Sequence, residues 1–103
     1  MTDHLADVRK HAAKASEAHV NAIVKYCGIA LSNADSALVS GTDPKELATV
    51  RDGFAAKKLG LSAETADAGI AHVVEKMKGV NHKNRVTFYY LLAEATGTLA
   101  KLD

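Results

Sequence analysis

The chain has 103 residues, of which 48% are hydrophobic and 24% are charged. This composition excludes intrinsic disorder, and no apolar run reaches the ~18 residues that a membrane-spanning helix needs. The 13 Lys and Arg residues nearly balance the 12 Asp and Glu residues, so no overall field attracts nucleic acid or acidic lipid. A single cysteine excludes an internal disulfide, and the charged N-terminal residues are not typical of a signal peptide. We therefore expect one cytoplasmic domain over residues 1–103.

The first half of the chain is predicted to be helical. Alanine supplies 19 residues and there is one proline, a composition that favours helices over strands. The apolar spacing predicts a helix over about 3–15 and a second helix over about 17–32, with Ser16 as the N-cap of the second. Because Tyr26 and Ala30 extend its apolar stripe around the cylinder, the second helix is expected to be central in the fold. A short helical connector is predicted over 34–39.

The third helix has the clearest start signal. Asp43 is its predicted N-cap, Pro44 occupies the first helical position, and Glu46 is placed to bond back to the cap. The helix is expected to end at Gly60, because a glycine commonly follows the last turn of a helix.

Two more helices follow in the second half. Ser62 is the predicted N-cap of a helix that ends at Gly79 and buries a stripe of four side chains, Ala66, Ile70, Val73 and Met77. Asn81 is the predicted N-cap of the last helix, about 82–96, which Gly97 ends. This last helix is apolar almost all round, so it is either the hub of the bundle or partly covered by another chain. The predicted fold is all-α: an irregular or orthogonal bundle of five main helices plus the short connector.

Four blocks of the sequence resemble a family of small bacterial proteins that is a domain of unknown function. The blocks are HLADVRKHAAKA, VKYCGIAL, RDGFAAKKLGL and KNRVTFYYLLAE, and the resemblance extends over nearly the whole chain. It implies an all-helical fold in a bacterial cytoplasm. It assigns no activity, ligand or catalytic residue, so the remaining argument rests on the residues themselves.

The first helix holds a candidate metal site. His4, Asp7 and His11 lie at i, i+3 and i+7, on one side of the helix, and these residue types suit zinc. His4 and His11 are two turns apart, about 10.5 Å along the axis, so one ion needs Asp7 to bridge them. The alternative is a solvated helix face with an Asp7–His11 pair. No cofactor is predicted.

A basic stretch precedes the last helix and is a candidate anion site. Lys76, Lys78, Lys83 and Arg85 lie close together in sequence, where a helix N-terminus offers free N–H groups. The alternative, which we favour, is that Lys76 and Lys78 complement the dipole at the end of the preceding helix.

The segment from Phe54 to Met77 is similar to the helix-turn-helix of bacterial transcription regulators of the quorum-sensing response type. An alanine, a glycine turn and a capping serine occur at the expected spacing. The second helix, however, begins with Glu64 and Asp67 and has no basic residue before Lys76, whereas a recognition helix must approach phosphates. The sequence therefore does not favour nucleic-acid binding.

The other alternative is a small enzyme, but the sequence contains no recognisable catalytic motif. The carboxylates are scattered over different helices, the glycines form no phosphate-binding loop, and no serine elbow occurs. A catalytic site would need a deep pocket lined by His72, Glu75 or Tyr89. Cys27 is interpreted as a small buried hydrophobe, because Lys25 points elsewhere on the helix and does not activate it.

The function therefore remains unknown from the sequence, and the favoured class is a non-enzymatic protein that acts through protein–protein contact or self-association. The predicted self-association surface lies on the last helix and consists of Phe88, Leu91 and Ala95. A chain with five aromatic residues has few large side chains to enclose the last helix when the second helix competes for the same central position. A homodimer would bury the remaining face.

Overall fold

The computed structural model describes residues 4–13, 15–28, 38–39, 43–78 and 83–102. Its elements are, in chain order, α1 (His4–His11), α2 (Glu17–Cys27), β1 (Leu38–Val39), α3 (Pro44–Val50), a π-helical segment (Arg51–Lys58), α4 (Ala63–Lys76), β2 (Lys83–Asn84), α5 (Arg85–Ala95) and a 3₁₀ turn (Leu99–Leu102). If α3 and the π-helical segment are counted as one helix, the described part contains the five predicted main helices. The all-α fold class is confirmed.

Helix α5 is the hub of the bundle. Nine consecutive residues, from Arg85 to Ala93, are buried, and α1, α2, α4 and the π-helical segment all pack against α5. A helix that is apolar on every side is stable only when it is enclosed. The chain therefore surrounds α5 with its own helices.

The starts of α3 and α4 follow local capping chemistry, with one correction at Glu46. Asp43 accepts the N–H of Lys45 at 3.0 Å, as predicted for an N-cap. Glu46, however, does not close a capping box: its carboxylate accepts a hydrogen bond from Arg85 instead. Ser62 caps α4 as predicted, accepting the N–H of Thr65 at 3.3 Å.

The predicted N-cap of α5 is wrong by three residues. Asn84, not Asn81, caps the helix: its side-chain oxygen accepts the N–H of Val86 at 2.9 Å and that of Thr87 at 3.5 Å. Asn81 and Gly79 lie outside the described residues. The predicted ends at Gly60 and Gly97 are confirmed, with φ of +70° and +68°, values that glycine adopts without strain.

The predicted helical connector is wrong where the structure describes it. Leu38 and Val39 form an antiparallel pair with Asn84 and Lys83, and Val39 is buried. Pairing with a neighbouring strand outweighs the weak helix propensity of such a short segment. The remainder of the connector, residues 34–37, lies outside the described residues.

Helix α2 is less enclosed than its predicted central position implies. Within α2, Val20 and Ile23 are the fully buried residues, whereas Tyr26 is 43% exposed. The two helices compete for one central position, and α5 occupies it. Helix α2 therefore keeps part of its apolar surface at the outside of the molecule.

Candidate interaction surface and the polar cluster beneath it

The outer side of α2 forms a surface of small and charged side chains beside one aromatic ring. We define the α2 surface as Glu17, Ala18, Asn21, Ala22, Lys25 and Tyr26; all are exposed except the half-buried Ala22. An open groove of about 550 Å³ lies along this side of the helix and is lined by Ala18, Asn21, Ala22, Val24 and Lys25. Among the described residues, Tyr26 is the large hydrophobic side chain that stays exposed.

The ring of Tyr26 is held in place by an aromatic stack that leads into the core. Tyr26 lies edge-on to Phe54 of the π-helical segment, with ring centroids 5.3 Å apart. Phe54 is buried and stacks on Tyr89 of α5, with centroids 4.2 Å apart and an interplanar angle of 17°. Each such ring–ring contact stabilises the fold by about 0.5–1.5 kcal/mol beyond the free energy gained from burying apolar area. The exposed ring is therefore supported by two buried ones.

A buried ion pair lies at the inner end of the stack. Arg85 donates to the Tyr89 hydroxyl at 2.9 Å and to the Glu46 carboxylate, which lies 39 residues away in sequence. Burial opposes the charge on Arg85, but Tyr89 and Glu46 outweigh burial and raise the pKa of the guanidinium. Burial also raises the pKa of Tyr89, against the opposing effect of Arg85. Arg85 is thus charged and Tyr89 neutral at physiological pH.

Cys27 lies at the edge of this cluster and is half-buried. Burial raises the pKa of its thiol to about 11, although the charge of Arg85 acts in the opposite direction. The thiolate is the nucleophile, so a thiol with this pKa reacts slowly at neutral pH. The interpretation of Cys27 as a small hydrophobe fits this environment, but its cationic neighbour is Arg85 of α5, which sequence reasoning missed.

The four residues of the predicted anion site have different surroundings. Arg85 is buried against Glu46 and Tyr89, and Lys83 is 9% exposed within the β pair. Lys76 forms an ion pair with Glu94 at 3.6 Å, while Lys78 is exposed. The first N–H groups of α5 face the side chain of Asn84 rather than a free site. Arg85 therefore has partners inside the protein, and the anion site remains a prediction.

The candidate metal residues of α1 are only partly described. The Asp7 carboxylate accepts a hydrogen bond from the hydroxyl of Thr87, so it points toward α5. His11 is half-buried, and the side chain of His4 lies outside the described part. In that part, no three His, Cys, Asp or Glu side chains converge as metal ligands do. The metal site remains a prediction.

The helix-turn-helix segment has the local geometry expected from its sequence. Ala55 is buried, Gly60 has a positive φ, and Ser62 caps α4. The exposed side of α4 carries Glu64 and Asp67, and Asp67 lies 3.6 Å from Arg51. These acidic side chains support the electrostatic argument against nucleic-acid binding.

The predicted self-association surface on α5 is wrong for two of its three residues. Phe88 is 0% and Leu91 is 2% exposed in the single chain, because α5 is the enclosed hub. Ala95 is exposed. It lines an open groove of about 400 Å³ with Thr65, Ala68, Gly69, His72 and Thr96. Of the residues required for a catalytic pocket, His72 lies in this groove, while Tyr89 is buried in the core.

A family comparison covers almost the entire chain. Residues 3–100 match the family model described as a protein of unknown function, DUF2853. The chain belongs to the DUF2853 family. No curated protein matches it. Membership in DUF2853 agrees with the resemblance noted from the sequence and assigns no activity, and no described helix of this member has the length and apolarity to span a bilayer.

Proposed function

We propose that this DUF2853 protein is non-enzymatic and acts through self-association at the α2 surface. The observation that carries the proposal is the exposed ring of Tyr26, fixed by Phe54 beside a groove of small side chains. Tyrosine is enriched among the residues that dominate binding energy at protein interfaces. A ring that is already held in place loses little conformational freedom on binding.

The α2 surface is self-complementary in charge. In an antiparallel, two-fold contact centred between Asn21 and Ala22, Glu17 lies opposite the partner's Tyr26, and Ala18 lies opposite the partner's Lys25. Glu17 therefore comes within reach of the partner's Lys25, and the symmetry makes this contact twice. The small side chains at the centre of α2 allow the two helices to approach closely, since interaxial distance depends on the residues at the contact.

The polar cluster beneath the surface supports a structural role over catalysis. Arg85 is paired with Glu46 and Tyr89, and the raised pKa values of Tyr89 and Cys27 keep both groups protonated at neutral pH. A general base or nucleophile needs a pKa matched to its task. Neither Tyr89 nor Cys27 has that property near neutral pH.

Light scattering over a range of protein concentrations tests the proposal. We expect the mass to rise with concentration from 10.9 kDa toward twice that value. Tyr26→Ala should weaken the association by about 2 kcal/mol or more, and Tyr26→Phe should retain it. Ala18→Arg should also disrupt it without touching the core, whereas Ala13→Arg, at an exposed position outside the α2 surface, should not. A constant monomer mass up to millimolar concentration would overturn the proposal.

A further inference from the structure

Helix α3 is attached to the bundle by few buried side chains. Of its seven residues, Val50 alone is fully buried, and Leu47 packs at the edge of the core. The remaining residues are exposed or half-buried. Elements with few buried apolar contacts open locally at a lower free energy than the core.

The junction between α3 and the rest of the molecule is a change of helix type. After Val50 the backbone continues as a π-helix through Lys58, and the Leu59 N–H bonds to the Phe54 carbonyl five residues back, at 3.1 Å. π-helical turns are rare and occur frequently at functional sites. Here the change of helix type separates the surface helix α3 from the buried Phe54 and Ala55.

An ion pair between Glu46 and Arg85 attaches α3 to α5. The Arg85 side chain is 10% exposed and that of Glu46 is 24% exposed, so water screens the pair only weakly. Removing the Glu46 carboxylate leaves Arg85 its hydrogen bond to Tyr89 but takes away the opposite charge that joins it to α3, which disfavours the closed arrangement.

We propose that the Glu46–Arg85 ion pair is a latch that holds α3 against α5, with the junction at Val50 and Arg51 as the hinge. When the latch is broken, α3 moves away while α1, α2, α4 and α5 stay packed. This opening takes the Glu46 carboxylate away from the guanidinium of Arg85, which keeps its hydrogen bond to Tyr89. The latch does not depend on self-association at the α2 surface.

Amide hydrogen exchange of Glu46→Gln tests the latch. We expect exchange at Leu47–Val50 to accelerate at least tenfold more than exchange at Leu91–Ala93. Glu75→Gln, which removes an exposed carboxylate from α4, should leave the ratio of the two rates unchanged. Equal acceleration throughout the protein, or no acceleration, would overturn the proposal.

The wild-type protein provides a second measurement that does not require a stable variant. In low concentrations of urea, exchange at Leu47–Val50 should depend only weakly on urea and should be at least tenfold faster than exchange at Leu91–Ala93. Local opening exposes little surface, so its free energy responds weakly to denaturant. If α3 exchanges only through global unfolding, with the same urea dependence as α5, the proposed latch does not exist.

Discussion

The hydroxyl of Thr87 donates a hydrogen bond to the carboxylate of Asp7, 80 residues away in sequence. Thr87 is fully buried in the middle of the apolar helix α5, and Asp7 reaches it from α1. A hydroxyl buried in a core is costly unless it has a partner. This contact fixes one side of the hub to the first helix.

The contribution of this hydrogen bond to stability should be measurable as a coupling energy between Thr87 and Asp7 in a double-mutant cycle. Thr87→Val retains the shape of the side chain but leaves the half-buried Asp7 carboxylate without its donor, so we expect a loss of about 1.5–3 kcal/mol. Asp7→Ala in the Thr87→Val background should then cost less than in the wild type. Urea unfolding of the four proteins gives the cycle, and strictly additive effects would show that the hydrogen bond contributes nothing.

The N-cap of α5 should contribute to stability through its side-chain oxygen. Asn84→Ala removes the acceptor for the N–H groups of Val86 and Thr87 and should cost about 1 kcal/mol. Asn84→Asp keeps an acceptor at the positive end of the helix and should retain most of the stability. Thermal unfolding at neutral pH compares the variants; equal losses for Ala and Asp would contradict the capping role.

Gly69 should be required by the close approach of α4 and α5. A Cβ atom at this position would lie 2.7 Å from Thr96 Cγ2 and 2.8 Å from Leu92 Cδ1. Gly69→Ala should therefore destabilise the protein by about 1–2 kcal/mol, because overpacking outweighs the gain in helix propensity.

Gly53→Ala is the matched control for this variant. Its added Cβ would meet nothing within 4 Å, and the substitution should stabilise the protein by up to about 1 kcal/mol. Chemical denaturation measures both variants, and a stabilising Gly69→Ala would show that α4 and α5 pack less tightly than described.

Cys27 should make the protein less stable in alkali. Burial raises the pKa of its thiol from 9.0 to about 11, so the folded state favours the protonated thiol. This preference contributes fully to the free energy of unfolding below pH 9, where the thiol is protonated in the unfolded state as well. The contribution is lost as the pH rises toward 11. Between pH 9 and pH 11, Tm should fall more steeply for the wild type than for Cys27→Ala. Parallel curves would contradict the burial effect.

The parts of the fold that the sequence predicted are those set by local chemistry. The caps at Asp43 and Ser62, the glycine ends and the inward stripe of α4 depend on neighbouring residues and were predicted correctly. The predicted start of α5 was wrong because Asn81 and Asn84 are both good N-caps in sequence. Asn84 is the cap in the structure, and it also pairs with β1.

The candidate site depends on contacts that a single sequence does not encode locally. Both α2 and α5 are apolar enough to occupy the centre of the bundle. The packing of the whole chain determines which of the two is enclosed. The pairing of Glu46 with Arg85 spans 39 residues, and no spacing rule connects them. A sequence signal did exist for the cluster: Arg85 and Tyr89 lie four residues apart on an apolar helix, where a charged side chain needs a partner.

Charge reversal across the α2 surface tests self-association most directly. Lys57→Glu, at an exposed position outside this surface, is the control for a change of charge alone. Glu17→Lys and Lys25→Glu should each weaken the homodimer by about tenfold or more, since each places like charges opposite one another twice. An equimolar mixture of these two variants should recover association, because every such contact then joins opposite charges. Sedimentation velocity of the two variants and their mixture should show monomers alone and a heterodimer on mixing. If the mixture sediments as the average of its components, or if neither variant differs from wild type, the α2 surface is not the site of self-association.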